Sequence, residues 1–386
     1  MEDRLKRFSS IVPERIKMGR EARGLTTREF AEMIGVSHQM ISKYEKGQSI
    51  PGSQVLDKMV KELNLPFRFF LKTKKAAGED KTVFFRSRAV SSVKLKKIHE
   101  IKLEWLKEIQ YYLEDILDFP KVNFPNLINQ KNFFQPVHFE EIDELAMTLR
   151  KFWNLNEGPI SNLLLLLEKN GVIISKVNFS DIKIDACSEW DENGRPFILL
   201  GNNKQSSSRT RFDLAHELGH LILHRYIKKS EFNNKQIYKR IEEEADRFAS
   251  AFLMPRSSFI EEFVGSSLDF FVLMKKRWKV SIQALVYRAS DLGLISDYQK
   301  SYLWRQISSK GWRKSEPFEE LIVEEPVVLK QAFELIINHE VKSKGQLVDD
   351  LSLNREDIEE LSNVEKGFLL EFNEKPLEDN ILNFKI

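Results

Sequence analysis

The stretch that most constrains this chain is Arg211-Phe212-Asp213-Leu214-Ala215-His216-Glu217-Leu218-Gly219-His220-Leu221-Ile222-Leu223-His224, which contains H-E-x-x-H. On a helix, residues four apart share a face, so His216 and His220 can both reach one metal ion. Glu217 stands beside them, where it can take a proton from a water that the ion activates. Leu214, Leu218, Leu221 and Ile222 form an apolar stripe, and Asp213 reads as the N-cap, so the pattern predicts a helix with one face buried. Two histidines do not complete a zinc site. The next acidic segment, Ile241 to Ala249, is apolar at Ile241, Ala245, Phe248 and Ala249. Glu242 lies three before Ala245 and four before Asp246, so it points with the inner positions and is the expected third ligand. Asp246, one turn on, is placed to accept the free ring N–H of a zinc histidine. A run such as Glu242-Glu243-Glu244 alone reads as a solvated face; its meaning comes from following the histidine helix. His224, a further turn beyond the motif, reads as a core or capping histidine.

The run from Gly158 to Pro255, about a quarter of the chain, resembles the ImmA/IrrE family of metallopeptidases. The resemblance is carried by R-x-R-F-x-L-A-H-E-L-G-H at Arg209–His220, by E-x-x-A-D-x-F-A at Glu242–Ala249, and by Phe252-Leu253-Met254-Pro255. Position 213 is often a hydroxyl residue in that family and is Asp here; either can cap a helix. The family match implies a zinc ion held by His216, His220 and Glu242, with Glu217 as general base. It also implies a protein substrate, typically a helix-turn-helix repressor, whose cleavage derepresses stress or mobile-element genes.

Charge divides the chain. Net charge is +2, yet residues 1–75 carry +7 and residues 316–386 carry −11. A basic front and an acidic tail suit different partners, and their opposite charge would draw them together. The front reads as short helices. Arg15–Arg23 ends at Gly24, Thr27–Ile34 stops at Gly35, and Ser37 caps a third helix running through Tyr44. Ser53–Leu63 is the expected fourth. Helix, Gly-Val-Ser turn, helix is the geometry that places a recognition helix in a major groove. Ala31, Gly35, Val36, Ile41, Ser42, Glu45 and Gly47 resemble the framework of the phage-repressor (XRE) helix-turn-helix, although Thr27 stands where a glutamine often opens the second helix. The resemblance implies double-stranded DNA as a partner. His38, Gln39 and Lys43 would face bases, with Ser42 nearby and Ser37 at the helix start, and Arg28, Lys46 and Arg23 would reach phosphates. Repressors of this type usually pair on two half-sites, so pairing on DNA is expected, as a homodimer or with a partner protein of the same type.

Thr73–Asp80 reads as a linker, and Thr82–Arg86 as a strand-like patch. Helices are expected over Ser91–Leu117 and Glu140–Phe152, then strands over Val172–Val177, Ile182–Trp190 and Pro196–Leu200, with Asn193-Gly194 as a hairpin turn. An edge strand beside the histidine helix would suit alignment of an extended substrate. Helices follow at Ser266–Trp278, Ser281–Leu292 and Asp297–Ser308, and three more in the tail. The single cysteine, Cys187, excludes an internal disulfide framework and fits a reducing cytosol. No apolar run is long enough to span a membrane.

The fold class expected is multidomain, mainly α with a small β-sheet (α+β). An all-α helix-turn-helix domain (1–75) precedes a linker and helical connecting region (76–155), a zincin-like peptidase domain (156–315) and an acidic helical C-terminal region (316–386). The function expected is a cytoplasmic DNA-binding zinc metallopeptidase. The alternative is a regulator whose zinc fold senses or docks a partner and cuts nothing. A purely structural zinc fits less well, because such sites usually use cysteines and leave no open position. Arg209, Arg211, His224 and Tyr238 are the candidates to stabilise an oxyanion.

Overall fold

The computed structural model describes residues 11–73, 83–87, 93–128, 134–178, 184–202, 206–232, 234–319 and 324–371. The described chain is mainly helical with one four-stranded sheet. It divides into two compact units. One comprises residues 1–74, 108–117 and 329–386; the other comprises 75–107 and 118–328. Of the expected linker Thr73–Asp80, all but Thr73 lies outside the described residues.

The first unit opens with helices Pro13–Ala22, Thr27–Ile34, His38–Glu45 and Ser53–Leu63, then a 3₁₀ turn at Phe67–Leu71. Local chemistry sets their ends. Thr26 and Glu29 form a reciprocal capping box, Gly35 closes the second helix at φ 74°, and Ser37 accepts the Met40 N–H. Ile16, Phe30, Ile34, Ile41, Leu56, Met59 and Phe69 are buried between the helices. Arg20 clamps the first helix to the third through Glu45, at 2.5 and 3.0 Å. The same unit contains tail helices Lys344–Leu351 and Arg355–Ser362, packed around Phe333, Leu347, Leu351 and Ile358. The attraction between basic front and acidic tail is realised there: Arg23 forks onto Asp357 at 2.9 and 2.6 Å, and Arg68 meets Asp349 at 3.2 Å.

In the second unit, β1 (Phe84–Ser87), β2 (Ile173–Val177), β3 (Ile184–Trp190) and β4 (Pro196–Gly201) form a sheet in the order β1-β3-β4-β2. β2 and β4 run parallel; the other pairs are antiparallel. Gly194, at φ 78°, makes the expected turn between β3 and β4. The three strands expected after residue 170 are present, and the patch near Phe84 joins them as a fourth. Helices Ser207–Leu223 and Lys235–Leu253 pack on one another beside this sheet, within a core that includes Ile174, Ile198, Leu218, Phe248 and Phe252. Trp278 is buried in that core, and Trp304 and Trp312 pack against it.

One boundary differs from expectation. The histidine helix begins at Ser207, so Asp213 is a buried interior residue and not its N-cap. The missing cap comes from far along the chain: Glu319 accepts the Ser208 N–H at 3.0 Å and its hydroxyl at 2.8 Å. Glu316 similarly accepts the Ile282 N–H at 2.8 Å, and Glu324 those of Leu163 and Leu164, both at 3.2 Å. Three carboxylates of the acidic segment thus serve as caps at helix N-termini within this unit, where negative charge is favoured.

Candidate metal centre and recognition helix

The centre is assembled by two helices in close approach. A Cβ at Gly219 would lie 3.2 Å from both Cα and O of Ala245 and from Cβ of Phe248, so a larger residue would press Ser207–Leu223 and Lys235–Leu253 apart by a few tenths of an ångström. That proximity brings Glu242 to the two histidines. One donor atom each from His216, His220 and Glu242 all lie within 4.8 Å of one another. Nε2 of His216 is 3.5 Å from Glu242 Oε2, and Nε2 of His220 is 3.5 Å from Oε1. These spacings are long for hydrogen bonds. They match the separation of about 3.3 Å implied for neighbouring ligands of a tetrahedral zinc bound at about 2.0–2.1 Å. The residues therefore fit the ion, and the three form an open set that leaves a fourth position for water or substrate.

The electrostatics agree. Burial lowers the His220 pKa to about 3 and also lowers that of His224, favouring the neutral imidazole that binds metals. Burial pushes Glu242 up, but the imidazoles of His216 and His220 facing it outweigh that and hold the carboxyl well below its usual range.

Each histidine is oriented from behind. His216 Nδ1 meets Asp246 Oδ1 at 2.8 Å, the partnership the spacing predicts. His220 Nδ1 meets His224 Nδ1 at 2.9 Å, and His224 Nε2 meets Glu244 Oε2 at 3.1 Å. The proton order follows. With Nε2 of His220 facing the ligand side, its Nδ1–H donates to His224, whose own proton sits on Nε2 and is donated to Glu244. Glu244 is fixed in turn by the Val137 N–H at 2.9 Å and Arg240 Nε at 2.8 Å. His224 is buried at the C-cap of the helix, as expected of a core or capping histidine, and it is also a link in this chain, not free to meet an oxyanion. Arg209 and Arg211 are also engaged elsewhere, the first on the Arg313 carbonyl and the second on Glu324 and the Ile160 carbonyl. Tyr238 is half-buried.

Glu217 is fully buried, and its Oε2 accepts the Ser188 hydroxyl at 2.5 Å. Sequence reasoning missed Ser188, because nothing in strand periodicity marks one inward serine over another. It also missed Phe84, whose ring stacks on His220 with centroids 4.9 Å apart and planes 10° from parallel. A cleft of about 620 Å³ opens beside Asp246, lined by Arg209, Phe212, Arg247 and Tyr287 among others. Cys187 is buried and its pKa is raised by that burial, consistent with a packing role.

Residues 167–290 match the family model described as the IrrE N-terminal-like domain, a peptidase family, and residues 16–70 match one described as Helix-turn-helix. The chain joins a helix-turn-helix domain to an IrrE-like domain, in that order. Human endothelial differentiation-related factor 1 is 40% identical over 53 residues, covering 14% of this chain and 36% of that protein. Multiprotein-bridging factor 1 of Schizosaccharomyces pombe is 35% identical over 57 residues, covering 15% and 38%. An uncharacterized HTH-type transcriptional regulator of Sinorhizobium medicae is 36% identical over 59 residues, covering 15% and 42%. The chain thus spans well under half the length of the curated relatives it matches. A solved structure of a Mycobacterium tuberculosis transcriptional regulator aligns at TM-score 0.30 and 13% identity, covering 48% of this chain and 51% of that one.

In the helix-turn-helix domain, Ser37, His38, Gln39, Lys43 and Lys46 are exposed on or beside helix His38–Glu45, and Ser42 is half-exposed. Arg28 is exposed and pairs with Glu32 at 3.2 Å. Arg23 does not join this surface: besides Asp357 it holds the Leu63 carbonyl at 2.7 Å and the Asn64 carbonyl at 3.2 Å. Among the described residues no helix is long and apolar enough to cross a membrane.

Proposed function

We infer that this protein is a DNA-binding zinc metallopeptidase whose substrate is a protein, by resemblance a helix-turn-helix repressor. The observation that carries the reading is the convergence of His216, His220 and Glu242 around one point, with buried Glu217 held by Ser188 on the same helix pair and sheet. The proposed partition is a DNA-reading domain over 1–75, a connecting region over 76–155, a peptidase domain over 156–315 and an acidic helical region over 316–386.

His216, His220 and Glu242 would hold the ion, Asp246 and the His224–Glu244 pair orienting the two rings. A zinc ion held there would supply a Lewis acid able to acidify a water and polarise a carbonyl. Glu217 then accepts the proton of the attacking water and returns it to the leaving amine. The Ser188 hydroxyl keeps one carboxylate oxygen fixed, so the other is the one presented for proton transfer. In the DNA-reading domain, His38, Gln39, Ser42 and Lys43 would meet base edges, and Ser37, Arg28 and Lys46 the backbone. A homodimer on two half-sites is the arrangement that gives one such domain useful affinity.

The deciding experiment uses Glu217→Gln, which keeps size and hydrogen bonding but cannot act as a base. Zinc content and DNA binding should be retained, while cleavage of a helix-turn-helix repressor that the wild type cuts falls at least roughly 10²-fold. Release of a reporter under that repressor by both wild type and variant, with the repressor intact throughout, would replace the peptidase by a regulator acting through binding alone.

A further inference from the structure

We propose that the outer edge of β3 is a seat for an extended polypeptide and that this chain's own β1, Phe84–Ser87, occupies it. The proposal deepens the peptidase reading and rests on it for the nature of the displacing chain.

β3 is the strand that reaches the candidate catalytic base, since its Ser188 donates to Glu217 at 2.5 Å. One edge of β3 pairs with β4, leaving a single edge for any chain aligned by backbone hydrogen bonds beside that glutamate. β1 fills that edge antiparallel, with Phe84 paired to Ser188, Phe85 to Cys187 and Arg86 to Ala186. Phe84 is 2% exposed, and its ring covers His220 at 4.9 Å and approaches His224 at 6.2 Å. β1 lies outside the matched region 167–290, which contains the other three strands. It is drawn from the segment that follows the helix-turn-helix domain. His216, Glu217 and His220 are all fully buried while β1 is in place.

Two consequences follow. A substrate pairing with β3 competes with a tethered segment, so its apparent affinity is reduced by the fraction of molecules with β1 displaced. The site left by Phe84, walled by the face of His220, suits an aromatic side chain, so the displacing chain is an extended segment with an aromatic residue opposite Ser188.

The test uses the zinc-loaded full chain. In Phe84→Ala, amide exchange at Ala186–Ser188 should quicken at least roughly tenfold, and a synthetic peptide spanning residues 82–88 should restore protection. Cleavage of an unstructured protein should rise by a similar factor. Phe85→Cys places a second thiol at the position paired with Cys187. Its oxidised form should show slowed exchange at β3 and no cleavage until a thiol reductant is added. Unchanged exchange at β3 in Phe84→Ala overturns the proposal. So does exchange rising equally through helices Ser207–Leu223 and Phe139–Phe152, which would make β1 an ordinary structural strand, or full-rate cleavage by oxidised Phe85→Cys. If exchange and peptide protection behave as expected while no variant cleaves anything, the edge assignment stands and the peptidase reading falls.

Discussion

The proposed metal centre and the proposed recognition helix place their candidate functional side chains in opposite environments. At the centre, His216, Glu217 and His220 are fully buried, and each has a fixed partner, in Asp246, Ser188 and His224 respectively. On the recognition helix, His38, Gln39 and Lys43 stand in water. A buried polar group that loses its partner costs its full desolvation penalty, whereas an exposed one exchanges its partner for solvent. Substitutions at the centre should therefore act steeply and together, and those on the recognition helix gradually and one by one.

The largest effect expected is at the ligands. His220→Ala should take zinc from about one ion per chain to near none by elemental analysis, because two remaining ligands do not hold a structural or catalytic site. Equal zinc in variant and wild type would end the assignment of this cluster and remove the contrast with it.

Next come the residues behind the ligands. His224→Phe keeps the volume but breaks the chain from His220 to Glu244. Zinc affinity or cleavage should fall about 10- to 100-fold, the usual cost of losing such an orienting partner. Glu244→Gln should fall short of that, since an amide oxygen still accepts from His224. The double variant should be barely worse than His224→Phe alone, since both act through one link. Additive losses in a titration of zinc affinity would show that the two residues act separately.

This network also marks how far the sequence was readable. Helical spacing alone places His216, His220, Glu242 and Asp246 on facing surfaces, because a helix has a fixed period and the apolar stripes fix which face is buried. The strands around Ile174, Cys187 and Ile198 are legible for the same reason. What escaped depends on distant segments meeting. Glu319 capping the histidine helix, Ser188 reaching Glu217, and Phe84 lying against His220 are each separated by dozens of residues in sequence. Asp213 was misread as a cap because a local carboxylate is the default cap when the true one, Glu319, lies far along the chain. The core or capping place of His224 is legible, but its partner Glu244 follows from the pairing of two helices and not from either helix's own pattern.

On the exposed side, effects should be smaller and separable. Gln39→Ala should relax preference at one base position by about 1–3 kcal/mol. Arg28→Ala should weaken all sequences alike and reduce the salt slope by about one. Duplex titrations at several salt concentrations distinguish these outcomes. A collapse of all binding in Gln39→Ala would mean that the recognition helix behaves like the buried centre after all.

The smallest effect concerns Arg23, a residue that lies between the two environments. Resemblance makes it a phosphate contact, but here its guanidinium meets Asp357 in a two-pronged ion pair, with side chains 25% and 12% exposed. A partly exposed pair of this geometry contributes modestly, on the order of 1 kcal/mol. Asp357→Asn and Arg23→Ala should both lower the unfolding midpoint slightly, Arg23→Ala somewhat more because it also abandons the Leu63 and Asn64 carbonyls. If the pair is structural, neither variant changes the slope of DNA affinity against salt. If Arg23 instead exchanges Asp357 for phosphate on binding, Asp357→Asn should bind DNA more tightly than wild type and Arg23→Ala should lose about one unit of slope. The geometry favours the first result, because three separate acceptors hold the guanidinium and a phosphate would have to replace them all.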